Sequence, residues 1–360
     1  MLAAQAGDTV SLARALRAYA DLGLGRDLAH EPSLATFAGR TFLAPLIAQH
    51  NENRRSAGRS TPRAWLPDST FWPEGMDVDT ASGTIYVASV RHGTVAAIAR
   101  DGSSRELIPR GAPGYGAVLG VRADARRGVV WVTTSALPQR EGQRRADSTV
   151  AALIELRASD GAVLRRFDLA PSLGGHVLGD LAIGPRGDVY VTDSQEPVLY
   201  RLAPGADALV ALRHPLFRSL QGIAPTPDGG ALYVADYSHG ILRVELTTWA
   251  VTRVADAPRS TSLGCDGLAW DRGAIIAVQN GVAPARIVRF TLRADGTAFT
   301  RADVLEQGSA EADEPTIGAV VGDAFVFVAN SQWEKYDDAG ALRPGAVLRK
   351  PVLLAVPLRP

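Results

Sequence analysis

Glu74, Asp180, Gln221, Asp266 and Glu314 each open a copy of one short pattern: an oxygen-bearing side chain, a few small or apolar residues, a turn marked by glycine, then a β-branched and aromatic run. Leu119 holds the place in the second copy. The runs that follow are Ile85-Tyr-Val-Ala-Ser, Val130-Trp-Val-Thr-Thr, Val189-Tyr-Val-Thr-Asp, Leu232-Tyr-Val-Ala-Asp, Ile275-Ile-Ala-Val-Gln-Asn and Phe325-Val-Phe-Val-Ala-Asn. If the copies meet, they form a ring of carboxylates and an amide, with Asp313 beside the last. Carboxylates a few Å apart cannot all stay ionised without a cation or a proton. Oxygen-only ligands suit Ca²⁺ or Mg²⁺ better than Zn²⁺. Two readings stay open at this level: a divalent-metal site, or solvated carboxylates in ordinary Asp-Gly turn chemistry.

A second polar position closes each run: Ser89, Thr134, Asp193, Asp236, Asn280 and Asn330. These read as turn residues, with Asn280 set apart because Asn-Gly can turn its amide oxygen inward. His176 lies four residues before Asp180 and is a candidate base, whereas His92 and His239 read as turn residues. The chain has no Gly-x-Ser-x-Gly nucleophile elbow and no phosphate-binding glycine loop.

The elements that must position these residues follow from the spacing. The six copies recur at intervals of about 40–60 residues, the range of a propeller blade. Each has room for four short strands, and the widest interval contains the polar stretch 138–149. The expected fold is all-β, a six-bladed propeller over residues 62–360, with the first residue of every copy at one mouth of the central channel. The apolar run Val352 to Leu358 should complete the last blade, and a strand from residues 62–70 should pair beside it to close the ring.

Residues 1–61 have another texture. Leu12, Ala15, Leu16, Tyr19 and Leu22 recur at helical spacing after the capping pair Asp8-Thr9, and Pro32 to His50 carries a second apolar stripe. A helical hairpin followed by a polar connector is expected. Ala4-Gln5-Ala6 resembles a signal cleavage site. A periplasmic or secreted chain that has lost its signal and a cytoplasmic one fit equally.

Composition excludes several classes. With 38 basic and 38 acidic residues, the formal net charge is zero, which argues against a nucleic-acid or polybasic membrane surface. No apolar run reaches the roughly 20 residues of a membrane span. A single cysteine, Cys265, rules out an internal disulfide. A small-molecule ligand and a monomer are the expectation.

Pro73-Glu-Gly-Met-Asp-Val-Asp, Gln221-Gly-Ile-Ala-Pro-Thr-Pro-Asp-Gly and Cys265-Asp-Gly-Leu-Ala-Trp-Asp resemble the senescence marker protein/gluconolactonase/strictosidine-synthase-like propellers. The resemblance covers residues 70–358. Asp313-Glu-Pro-Thr-Ile-Gly with Ala329-Asn-Ser-Gln-Trp looks like a bacterial branch whose propeller follows a short tetratricopeptide-like stretch. The resemblance implies a divalent metal, often calcium, with Mg²⁺ or Zn²⁺ as alternatives, held by Glu74, Gln221 and Asp266; Gln221 departs from the expected Asn by one methylene. It implies a substrate-contacting polar residue at Asp180, to which the channel-mouth residues Asn280 and Glu314 are added.

Three functions follow. The first is a metal-dependent hydrolase of a small cyclic ester, a lactonase, in which Asp180, His176 or Asp266 activates water or orients substrate. The second is a non-catalytic scaffold that binds a ligand or a protein. The third is a strictosidine-synthase-like condensing enzyme, for which no residue is singled out.

Overall fold

The computed structural model describes residues 7–66, 68–143 and 145–359, with Arg145 described by its backbone alone. Six antiparallel sheets follow one another along the chain as the blades of a ring. Their inner strands are Pro73–Val78, Ala117–Asp124, Leu178–Ile183, Leu220–Pro225, Cys265–Asp271 and Gly318–Val321, in blades one to six. The second strands are the β-branched and aromatic runs read from the sequence. Val87, Val132, Val191, Val234, Ala277 and Phe327, one from each of these strands, have 0% exposure. Burial on both faces explains why the runs are almost continuously apolar instead of alternating. The outer strands are shorter or polar; Ser104–Glu106 is exposed throughout.

Blade six closes the ring. Its order runs from Gly318–Val321 through Ala324–Val328 and Val352–Pro357 to Thr61–Trp65, so the last strand of the chain pairs with one near its beginning. The closing strand expected from residues 62–70 therefore lies at 61–65. Ala57–Gly58 adds a short fifth strand to blade five, against Phe299–Gln307.

The helical segment comprises helix α1, Thr9–Asp21, a 3₁₀ turn at Pro32–Phe37, and helix α2, Leu43–Asn53. Asp8 caps α1 by accepting the Ser11 N–H at 3.0 Å. Leu12, Leu16, Leu28, Leu34, Phe37, Leu43 and Leu46 form its own small core. The apolar stripe from Pro32 is not one helix. Gly39 sits at φ 78°, a left-handed conformation that ends the first turn before α2 begins.

Candidate functional site at the channel mouth

In blades one to five, the register between the first and second strands shifts at the same place. The breaks fall between Pro73 and Met76, Val118 and Val121, Leu178 and Leu181, Leu220 and Ile223, and Cys265 and Leu268. Each is a β-bulge in which two inner residues oppose one, which re-aims a side chain. The bulge pairs are Glu74-Gly75, Leu119-Gly120, Gly179-Asp180, Gln221-Gly222 and Asp266-Gly267. The first member of every pair lines one cavity of about 360 Å³. The second member sits where neighbouring inner strands nearly touch. A Cβ on Gly75 would run into the Leu119 carbonyl oxygen, and one on Gly222 into that of Asp266, so these two positions require glycine.

The bulges correct the alignment of blade three. Gly179, not Asp180, is the counterpart of Glu74. Asp180 occupies the glycine position and is 1% exposed. Both its oxygens lie 3.1 Å from Arg122 Nη2, and it accepts the backbone N–H groups of Leu181 at 2.8 Å and Ile223 at 3.3 Å. Burial raises its pKa, the Arg122 guanidinium opposes the rise, and Asp180 lies off the cavity lining. His176 also faces away: Nδ1 meets Asp193 Oδ2 at 2.6 Å and Nε2 meets the Ala170 carbonyl at 3.0 Å, so both ring nitrogens are engaged.

The remaining candidates converge. Glu74, Gln221, Asp266, Asn280, Asp313 and Glu314 line the cavity, together with Tyr237 and Trp333. No Arg, Lys or His lines it. Trp333 Nε1 donates to Glu74 Oε2 at 2.6 Å. Asn280 Nδ2 donates to Asp266 Oδ2 at 2.7 Å and to the Pro315 carbonyl at 2.9 Å, and Asn280 Oδ1 accepts the Tyr237 hydroxyl at 3.1 Å. Gln221 Nε2 donates to Ser219 Oγ at 3.3 Å. Among the described residues, Glu74 Oε1, Asp266 Oδ1 and Gln221 Oε1 accept no hydrogen bond.

The acids feel burial and one another. Glu74 is pushed well above the usual carboxylate range, first by burial and then by Asp266, with the Trp333 N–H opposing. Burial raises Asp266 to about 7, against the Asn280 hydrogen bond. Burial and the nearby Glu334 raise Glu314 to about 7. Burial lifts the Tyr237 phenol to about 12, so it stays neutral.

This donor set fits a hard cation in charge and atom type: buried acids, amide oxygens and no basic side chain. The acids are spread around the wall. Among the described residues, no three His, Cys, Asp or Glu side chains gather closely enough to clasp one ion.

The residues that sequence reasoning missed are Trp333, Tyr237 and Glu334. Trp333 and Glu334 ride on the stretch between Val328 and Val352, longer than the same connection in other blades, and that length was its signal. Tyr237 gave none beyond following the fourth run.

No family model matches the chain, and no curated protein matches it. Solved structures do. Regucalcin, a calcium-binding protein from Agrobacterium tumefaciens, is 16% identical with a TM-score of 0.54, covering 82% of this chain and 93% of that one. A structure described as a putative gluconolactonase is 16% identical with a TM-score of 0.52, over 84% and 92%. Virginiamycin B lyase from Staphylococcus aureus is 17% identical with a TM-score of 0.53, over 75% and 81%. The likeness shows the propeller fold. The three names describe different activities, so function must be argued from the site.

Proposed function

We propose that the chain is a divalent-cation-dependent hydrolase of a small cyclic ester, a lactonase-like enzyme working at the channel mouth. The observation that carries this reading is the cavity wall: Glu74, Asp266 and Glu314, all acids with raised pKa, face one space that no basic side chain lines. Glu74, Asp266 and Gln221 would hold the cation, with calcium the expected ion. The regucalcin and gluconolactonase likenesses agree with it. A bound cation would polarise the ester carbonyl and favour the developing negative charge.

The chain's own groups do the rest. Trp333 fixes one oxygen of Glu74 and leaves the other facing the cavity. Asn280 does the same for Asp266. Glu314, with a pKa near 7, can take a proton from water or return one to the leaving oxygen at neutral pH. Its carboxylate is oriented by the backbone N–H of Glu334, 3.2 Å from Oε1. Glu314 thus takes the proton-transfer role in place of Asp180, His176 or Asp266, the candidates from the sequence. Tyr237 supplies a neutral hydroxyl at the cavity edge.

A panel of aliphatic and sugar lactones, assayed with calcium and with chelator, tests the proposal. Chelator-sensitive ring opening is expected. No hydrolysis, with calcium still raising the melting temperature, would favour the binding scaffold instead.

A further inference from the structure

Asn280 stands on two cavities. One is the mouth. The other is a groove of about 620 Å³ between the ring and the helical segment, bordered by Gly25, Arg26, Arg54 and the loop 280–284. That loop joins strands Ala274–Gln279 and Arg286–Leu292 of blade five. On the ring side, Asn280 bridges Asp266, Pro315 and Tyr237. The far end of the loop is held from outside the ring. The Ala283 N–H donates to the Tyr19 hydroxyl at 2.9 Å, that hydroxyl lies 3.4 Å from the Ala283 carbonyl, and the Gly25 N–H donates to the same carbonyl at 2.8 Å. The helical segment therefore engages both backbone polar groups of Ala283.

Tyr19 is itself set by its neighbours. Its ring stacks on His50 with centroids 6.0 Å apart. His50 is completely buried, meets the Leu16 carbonyl through Nε2 at 3.0 Å and accepts the Arg26 N–H at Nδ1, also at 3.0 Å. A short, part-buried loop with a glycine near its start samples many conformers unless its backbone groups are engaged. Here the ring holds the near end, where the Gly281 N–H donates to the Gly264 carbonyl at 3.0 Å, and the groups that engage Ala283 come from a segment more than two hundred residues earlier in the chain.

We infer that the helical segment is a working wall of the mouth, with Tyr19 as a positioning residue: through Ala283 it holds the loop 280–284 so that Asn280 stays between Asp266 and Tyr237. The inference rests on the mouth being the functional site. It assigns the segment a role other than that of a separable extension.

The test uses the full-length chain, wild type and Tyr19→Phe, and reads hydrogen exchange of the Asn280 side-chain amide by NMR. Phenylalanine keeps the ring that stacks on His50 and removes only the hydroxyl. Exchange about fivefold faster in Tyr19→Phe is expected, the factor that loss of one hydrogen bond produces, with backbone amides of blades one to three unchanged. Asn280 exchanging at the wild-type rate overturns the inference. If the substitution unfolds the helical segment while the ring amides stay protected, the same reading applies, because loss of the segment must also free the loop. The measurement needs neither substrate nor metal, so it stands apart from whether the chain hydrolyses lactones. Where hydrolysis is found, Tyr19→Phe should lower kcat with KM unchanged. A loosened Asn280 with unchanged kcat would overturn the functional half of the inference.

Discussion

The indole N–H of Trp333 meets Oε2 of Glu74 at 2.6 Å, joining blade six to blade one across the ring's closure. Both residues follow strained backbone: Trp72, two before Glu74, has φ 47°, and Gln332, just before Trp333, has φ 70°. Left-handed conformations at non-glycine residues cost of order 1–3 kcal/mol each and collect at functional sites. Trp72 also stacks on Tyr336 with centroids 4.0 Å apart, and that contact helps hold the pair.

Glu74→Gln should remove the effect of calcium on stability. A ligand at a hundredfold excess over Kd stabilises by about 2.7 kcal/mol, so wild type should melt several degrees higher in calcium than in chelator. The variant should show no such difference. In chelator it should melt at or above wild type, because one buried repelling charge is gone. Scanning calorimetry of both proteins in both buffers checks this; equal calcium shifts would remove Glu74 from the ligand set.

Trp333→Phe keeps an aromatic wall but deletes the donor. Glu74 then loses the group that lowers its pKa and protonates more readily, so protons compete better with the cation. Calcium affinity at pH 7, measured by isothermal titration, should fall about tenfold, roughly the worth of one hydrogen bond to a charged group. The loss should shrink above pH 8.

The pH dependence of the metal-free protein has a definite sign. Asp266 and Glu314 titrate near 7 when folded and near 4 when unfolded. Between those values the native state holds more protons than the unfolded state, so stability falls as pH rises from 4 to 7. Each group contributes a slope of at most about 1.4 kcal/mol per pH unit. Urea titrations in chelator at pH 5 and pH 7.5 should show lower stability at the higher pH, and calcium should reduce the difference. Asp266→Asn combined with Glu314→Gln should flatten it.

Arg122→Met should be severe. It leaves Asp180 buried without its counter-ion, which costs about 3–5 kcal/mol. Adding Asp180→Leu should recover most of that loss, read by denaturant midpoint. If Asp180→Leu with Arg122→Met restores stability and retains hydrolysis, Asp180 is structural; loss of activity alone would return it to the mechanism.

Truncation separates segment from ring. Starting the chain at residue 56 keeps both Ala57–Gly58 and Thr61–Trp65 and should leave a soluble β-rich protein. Starting it at residue 67 removes the outer strand of blade six and exposes the edge of Val352–Pro357, so aggregation is expected in light scattering.

The ring itself was legible because its signal repeats: no single Gly-to-β-branched run is diagnostic, but six in register leave little else. The lining of the cavity was legible where the repeat holds its register, as at Glu74, Gln221 and Asp266. It slipped by one residue at Asp180, because a bulge gives two adjacent inner residues opposite fates and blade three places its acid second. In blade six, Thr316 and Ile317 both oppose Val328, and Gly267 meets the Thr316 carbonyl as Gly75 meets that of Leu119, so the counterpart of Glu74 is Thr316. Glu314 reaches the cavity from two residues earlier. Trp333 and Tyr19 lie outside any repeat, and their partners are fixed only by tertiary packing. The stripe from Pro32 read as one helix because apolar spacing does not register the turn at Gly39.

Closing blade six with Thr61–Trp65 also sets an order of events. Thr61–Trp65 leaves the ribosome before any of blades one to five is complete, and its partner, Val352–Pro357, leaves after all of them. Until Val352–Pro357 emerges, blades one to five can form from local hairpins while Thr61–Trp65 has no partner and blade six lacks its third strand. Glu74 of blade one and Trp333 of blade six meet where those two blades adjoin, so the mouth is assembled only once blade six has formed. A growing chain carries five sheets before it carries a site, and any activity appears only when the ring locks.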